Sequence, residues 1–159
     1  MSEPSGYRQE RYDAPVPAVL TGAVVVDDEQ AFKLWKAGVA TIIDVMPNIA
    51  RPEGLPPDAL WQGRSRFSIP GAIWLPDAGF GSPDVDALNQ FEQLLSNKSA
   101  GNKKHQFLFL CRADCWMSWN AAKRAVRWGY LQVYWYPDGS TGWRFWDWPV
   151  ELLEPAETD

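Results

Sequence analysis

The chain has 159 residues, which suits one domain, and its 46% hydrophobic and 22% charged residues are typical of a globular protein. The net charge of -5 argues against nucleic acid or other polyanions as partners. No apolar run approaches the roughly 18 residues of a transmembrane helix, so we expect no membrane span.

The N-terminus is polar, contains several prolines and lacks the apolar stretch of a signal peptide. We treat residues 1–15 as a flexible tail, residues 16–153 as one domain and residues 154–159 as a second tail. The residues alone are consistent with two cellular locations. The protein is either cytoplasmic, or a mature exported chain whose signal peptide has been removed.

Apolar runs alternate with helical patterns in the first part of the domain. Residues 23–26 predict a strand, and Asp27 or Asp28 caps a helix that ends at Gly38. Residues 40–45 form a continuous apolar run, which suits a strand buried on both faces of a parallel sheet. The alternation predicts an α/β fold, with a mostly parallel central sheet flanked by helices on both faces.

The rest of the chain repeats this alternation after one long interruption. We predict, in order, a loop over 46–68, a strand over 72–75, a helix over 85–95, a strand over 106–110, a helix from about 117 to 128, a strand over 132–136, a turn segment over 137–142 and a tryptophan-rich C-terminal segment.

The strand over 106–110 delivers Cys111 to its carboxyl end, and Cys115 follows in the loop before the next helix. Ligands bind beyond the carboxyl ends of parallel strands, and a helix N-terminus there favours a thiolate. We therefore expect Cys111 and Cys115 to be the catalytic residues, close enough to be bridged, although a buried thiol that only packs is the alternative. The other expected loop residues are Arg112, Ala113, Asp114, Trp116 and Met117.

Three further residues are expected to support this loop. Asp44, at the end of an earlier strand, either orients the loop by accepting its N–H groups or caps the following turn. Ser118 and Trp119 begin the helix after the loop. Within the loop, Asp114 opposes a low pKa for Cys111, because a nearby carboxylate disfavours the thiolate.

Tryptophan is abundant, with ten residues in the chain. One interpretation is a core built with large aromatic side chains. The other is an apolar rim around the cysteines, formed by Trp116 and Trp119 together with tail residues such as Trp143, Trp146 and Trp148.

The single histidine, His105, removes most other catalytic arrangements. The intervening strand separates it from Cys111 by roughly 20 Å, which excludes a Cys-His pair and a local zinc site. There is no haem-attachment motif, and a cysteine phosphatase would need an arginine where the chain has Met117. We expect no metal.

Several motifs together resemble the rhodanese-like family over about residues 16–153. The matching pieces are Ile43-Asp44-Val45, Ile69-Pro70-Gly71-Ala72, the Cys111 loop, Gly129-Tyr130, Asp138-Gly139, Trp143 and Pro149-Val150. More narrowly, Cys-x-x-x-Cys-Trp followed by Met-Ser-Trp-Asn-Ala-Ala-Lys-Arg-Ala resembles bacterial proteins associated with pyrroloquinoline-quinone-dependent catabolism of alcohols. That resemblance implies export, and hence a periplasmic location.

The chain also departs from the family pattern. Trp116 stands where the family loop has a basic residue that holds an anionic sulfur donor, Met46 replaces a common arginine, and Ser68 replaces a common histidine. Besides Arg112, the basic residues that could reach the site are Arg51, Arg64 and Arg66. We therefore expect weak activity with thiosulfate.

Three functions fit these residues. In the first, Cys111 carries a persulfide between a small sulfur donor and an acceptor, and Cys115 resolves it. In the second, the pair is a dithiol/disulfide module of quinoprotein metabolism, in which the cysteines either cycle with a redox protein partner or hold a redox cofactor. In the third, the cysteines form a structural disulfide, and an aromatic surface binds a ligand or partner without catalysis. No cofactor is assigned beyond the persulfide.

Overall fold

A parallel sheet lies at the centre of the structure, a computed structural model that describes residues 1–47, 54–56, 58 and 65–156. The strands are, in chain order, β1 (Ala23–Val25), β2 (Ala40–Asp44), β3 (Arg66–Ser68), β4 (Ile73–Trp74), β5 (Gln106–Leu110), β6 (Gln132–Tyr136) and β7 (Glu151–Leu153). Five of them form the sheet in the order β1-β6-β5-β2-β4 with parallel pairing, while β3 and β7 form an antiparallel ribbon. The predicted mostly parallel sheet is confirmed.

The helices are α1 (Asp28–Ala37), α2 (Val85–Ser99), α3 (Trp116–Arg127) and α4 (Gly139–Phe145). The predicted ends of α1 are confirmed. Asp27 and Gln30 form a capping box, and Gly38 ends the helix with a φ of 67°, which glycine adopts without strain.

The residues of β5 alternate between two hydrophobic clusters because successive side chains of a strand point to opposite faces. Phe107 and Phe109 belong to one cluster, with residues of α2 and α3, and Leu108 and Leu110 belong to the other. The second cluster includes Ala31 of α1 and Trp143 of α4. Helices therefore cover both faces of the sheet, as predicted.

Two predicted segments differ in the structure. Residues 137–142 were expected to form a turn, because glycine, serine and threonine are weak helix formers. Instead α4 begins at Gly139, where the N–H of Ser140 donates to the Cys111 carbonyl at 2.9 Å and so fixes the first turn. The predicted loop over 46–68 ends in β3, a strand too short and too polar to be recognised from its sequence.

Residues 1–15 lie against α3 in the structure. The main chain of Arg8, for example, is hydrogen-bonded on both sides by the Asn120 side chain, at 2.9 Å in each case. The expected mobility of this segment and the expected domain boundaries remain predictions. In the described part of the chain, no helix has the length and apolar character needed to cross a membrane.

Candidate thiol site

The two cysteines lie where the carboxyl ends of the central strands meet. Cys111 directly follows β5, and Cys115 is the N-cap residue of α3. Both are free thiols, with 0% of Cys111 and 3% of Cys115 exposed. The five-residue loop between β5 and α3, residues 111–115, thus places both sulfur atoms under the surface at one edge of the sheet.

The Cys111 thiol has sulfur atoms as neighbours. Its Sγ lies 3.5 Å from Sδ of Met46, and it also interacts directly with the Cys115 thiol. Burial raises the pKa of Cys111 well above its usual range, and the neighbouring Cys115 and Asp44 raise it further. Cys111 therefore keeps its proton at neutral pH.

Cys115 has the opposite electrostatic environment. A hydrogen bond from Cys111 favours its thiolate most, and the main-chain N–H of Met117 and the charge of Arg112 add to this, so that its pKa falls to about 7 despite burial. The sulfur makes no close capping hydrogen bond, so the N–H groups of α3 act on it at longer range. Of the two thiols, Cys115 is the more acidic.

Asp44 is fully buried at the end of β2, next to the end of β5. One carboxylate oxygen accepts the Met46 N–H at 2.9 Å; the other accepts Arg66 Nε at 2.8 Å and the Ser68 hydroxyl at 2.6 Å. None of these donors belongs to the cysteine loop. Burial raises the pKa of Asp44, and the charge of Arg66 and the hydrogen bonds oppose that shift. Asp44 therefore caps the turn after β2 and acts on Cys111 through its charge.

Of the basic residues expected near the site, the two that the structure describes are paired with carboxylates. Arg66 is paired with Asp44, and its buried Nη2 atom has no hydrogen-bond partner among the described residues. Arg112 pairs with Asp13 at 2.9 Å. Arg51 and Arg64 lie outside the described residues. Neither described arginine is thus left unpaired to receive an anionic donor.

The cysteine loop is fixed by contacts that sequence analysis missed. The Ala113 N–H donates to Oγ1 of Thr141 in α4 at 3.0 Å, and the Trp116 N–H donates to the Tyr12 carbonyl at 2.8 Å. Asp114 has a φ of 52°, a left-handed conformation that Asp tolerates better than most residues. Sequence analysis did not identify Thr141 as a loop contact, because its segment was interpreted as a turn. It did not identify Tyr12, because Tyr12 binds Trp116 through its main-chain carbonyl, which leaves no mark in the sequence.

The first turns of α3 serve packing. Trp116 and Trp119 lie edge to face, and their indole N–H groups donate to main-chain carbonyls of Pro15 and Val19. The fully buried Ser118 hydroxyl accepts the Trp135 indole N–H at 3.0 Å. Ser118 and Trp119 therefore support the helix that carries Cys115, and do not line an open mouth.

The expected aromatic rim is wrong for the tail tryptophans. Trp143 is fully buried in the cluster on the α1 face and packs against Phe32, Trp35 and Trp148, whereas both cysteines belong to the cluster on the other face. Trp146 donates its indole N–H to Asp28 of α1. Large aromatic side chains build the core on that face, because the chain turns into α4 directly after β6 and brings the tail over α1.

Among the described residues, no three His, Cys, Asp or Glu side chains are grouped as metal ligands. The chemistry that this arrangement can perform is that of its thiols. One acidic thiol at a helix N-terminus interacts with one thiol that retains its proton.

The family model described as the Rhodanese-like domain matches residues 27–145. None of the curated proteins matches the chain in sequence. Among solved structures, the chain is similar to the Alr3790 protein from Anabaena sp., at 17% identity and a TM-score of 0.50 over 79% of each chain. It is also similar to the human single-domain sulfurtransferase TSTD1, at 17% identity and a TM-score of 0.47 over 76% of this chain and 95% of that one.

A third similar structure is the T414A variant of EanB in complex with hercynine, at 20% identity and a TM-score of 0.52. The match covers 84% of this chain and 32% of that chain. At these identities the likeness concerns the fold, which is that of the central sheet and its helices.

Proposed function

Since the chain belongs to the family of rhodanese-like domains, we propose that it exchanges thiols and disulfides through Cys115 and Cys111. The observation that carries this proposal is the position of two buried free thiols at the two ends of the loop between β5 and α3, where their interaction contributes to opposite pKa shifts. A thiolate is the attacking form of cysteine, and a thiol whose pKa lies near the ambient pH combines a good thiolate fraction with good nucleophilicity.

The reaction has two steps. The Cys115 thiolate attacks one sulfur of a partner disulfide, which forms a mixed disulfide and releases one thiolate of the partner. Cys111 then loses its proton to that thiolate and attacks the Cys115 sulfur, which releases the second partner thiolate. The cysteine pair is oxidised to a disulfide, and the partner disulfide is reduced to one thiol and one thiolate, which takes a proton from water.

Sulfur transfer is the second candidate, and it rests on the position of Cys111. In it, a persulfide on Cys111, directly after β5, passes its outer sulfur to an acceptor. The pairing of Arg112 with Asp13 argues against small anionic donors in this variant. A neutral donor or a protein persulfide fits the site better.

The wider setting is also proposed. The Cys-x-x-x-Cys-Trp motif and the run that follows it support membership of the narrower group linked to pyrroloquinoline-quinone-dependent catabolism of alcohols. A periplasmic location rests on the same resemblance, and it suits a dithiol that meets oxidised partners. A redox protein of quinoprotein metabolism is then the proposed partner.

Mass spectrometry tests the proposal directly. The reduced protein is mixed with glutathione disulfide, quenched with an alkylating reagent and weighed against a double Cys111→Ser/Cys115→Ser control. We expect the protein to lose two hydrogens, gain no alkyl group and release two equivalents of glutathione. Full alkylation of both cysteines after prolonged exposure would contradict the proposal, and a gain of one sulfur from a sulfane donor would favour the second candidate.

A further inference from the structure

A segment of the N-terminus crosses the cysteine loop. Two main-chain hydrogen bonds hold it there: the Trp116 N–H donates to the Tyr12 carbonyl at 2.8 Å, and the Ala14 N–H donates to the Asp114 carbonyl at 2.9 Å. The residue between Tyr12 and Ala14 pairs with Cys115 in an antiparallel bridge. We call residues 3–16 the strap.

The strap also occupies the charged group of the loop. Its Asp13 carboxylate binds the Arg112 guanidinium at 2.9 Å, and its Pro15 carbonyl accepts the Trp116 indole N–H at 3.0 Å. The donors that a rhodanese-like loop offers at this edge are thus partly taken by the chain itself.

The rest of the strap is anchored along α3. The Asn120 side chain binds both the N–H and the carbonyl of Arg8, and the Lys123 ammonium donates to three successive strap carbonyls, those of Pro4, Ser5 and Gly6. Asn120 and Lys123 belong to the run after Cys115 that the proposed function does not use. The contacts of Asn120 and Lys123 indicate that this part of α3 holds the strap beside the thiols.

The strap lies directly beside two thiols that are shielded from solvent. Cys111 and Cys115 are 0% and 3% exposed, and the strap pairs with the main chain of Cys115 itself. The two bonds at the loop join main-chain atoms only, so another extended polypeptide can form them in place of the strap. Extended peptides commonly bind by such main-chain pairing.

We infer that the strap is an intramolecular lid over the thiols, and that the partner is a polypeptide whose extended segment replaces residues 12–14 at the cysteine loop. This inference rests on the proposed function and names its partner class. The lid slows the reaction of the thiols with small oxidants, and a protein partner that displaces the strap removes this protection.

The first test measures how fast iodoacetamide alkylates Cys115 in Ala14→Pro. Proline removes the N–H that binds the Asp114 carbonyl, and Ala14 is only partly buried where it packs against the cluster that contains the cysteines, so we expect the fold to persist. We expect the rate to rise about tenfold, because local opening becomes more frequent. The matched control is Ala18→Pro, since the Ala18 N–H makes no main-chain bond among the described loop and turn contacts.

The second test adds synthetic peptides to Ala14→Pro. A peptide of residues 8–17 should slow alkylation in proportion to its concentration, and the same peptide with proline at position 14 should not. Asp13→Ala, which frees Arg112, should raise the alkylation rate of the full chain by a smaller factor.

The outcomes separate this inference from the proposed function. Equal alkylation rates in Ala14→Pro, Ala18→Pro and the unaltered chain would overturn the lid, and so would a peptide that gives no protection. The thiol exchange would survive either result. Rapid alkylation in Ala14→Pro with protection by the peptide would support the lid even if glutathione disulfide failed to oxidise the pair in that same variant, which would overturn the proposed function alone.

Discussion

The Tyr12 carbonyl accepts the main-chain N–H of Trp116 at 2.8 Å, which occupies the first N–H of α3. In an open loop that N–H is free to bind an anion at the helix N-terminus. Here Trp116 also stands where the family loop has a basic side chain, and its indole ring is buried. The anion site beside the cysteines is therefore poor in both charge and free donors.

We accordingly expect weak or absent thiosulfate:cyanide sulfurtransferase activity. Thiocyanate production in steady-state assays should be close to that of Cys111→Ser, the matched control that lacks the sulfur carrier. Robust turnover that depends on Cys111 would show that Arg112 leaves Asp13 and binds the donor.

The pH dependence of Cys115 alkylation should reflect its contact with Cys111. The rate should rise as the thiolate forms, with a midpoint near the pKa of about 7. Cys111→Ala removes the hydrogen bond that contributes most to this lowering, so the midpoint should move upward towards the ordinary value for a thiol. Met46→Leu, which changes the other sulfur neighbour of Cys111, should leave it in place. An identical midpoint in Cys111→Ala and the unaltered chain would rule out that hydrogen bond.

Asp44→Ala should destabilise the fold. The substitution leaves the Arg66 charge without its partner and removes the acceptor of the Ser68 hydroxyl and the Met46 N–H. Removing one partner of a buried ion pair costs about 3–5 kcal/mol, measured as the free energy of unfolding in urea. Glu92→Ala on the exposed face of α2 should change it by less than about 0.5 kcal/mol. A comparably small loss in Asp44→Ala would show that Arg66 finds another partner.

Trp143→Ala should separate stability from thiol chemistry. Trp143 is fully buried, so truncation should cost about 3–5 kcal/mol of unfolding free energy. Because it lies on the α1 face, the alkylation rate of Cys115 in the folded protein should not change. Trp146→Ala, which truncates a half-exposed side chain, is the milder control. Faster alkylation of Cys115 in Trp143→Ala under native conditions would show that Trp143 does influence the thiols.

Local sequence signals predict the parts of the fold that depend on local residues. The apolar run of β5 and the caps of α1 at Asp27 and Gly38 are examples, because burial and helix ends leave direct marks in the sequence. The end of β5 also places Cys111 at the edge where ligands bind.

The parts that sequence analysis missed depend on distant contacts. α4 forms although Gly139 and its successors favour a turn, because Ser140 binds the Cys111 carbonyl. The two hydrogen bonds that pair the strap with the loop use main-chain atoms that nearly every residue possesses, so no distinctive side-chain pattern marks this pairing. The difference in pKa between the cysteines arises from burial and mutual contact, which the spacing of Cys111 and Cys115 does not specify.

The order of attack by the two thiols is the most direct test of the proposed exchange. Cys111→Ser and Cys115→Ser are each mixed with glutathione disulfide at pH 7, quenched with acid and weighed by mass spectrometry over time. We expect a mixed disulfide on Cys115 to form and persist in Cys111→Ser, because no resolving thiol remains, while Cys115→Ser reacts far more slowly. A mixed disulfide that forms rapidly on Cys111 in Cys115→Ser, with Cys111→Ser inert, would contradict the account.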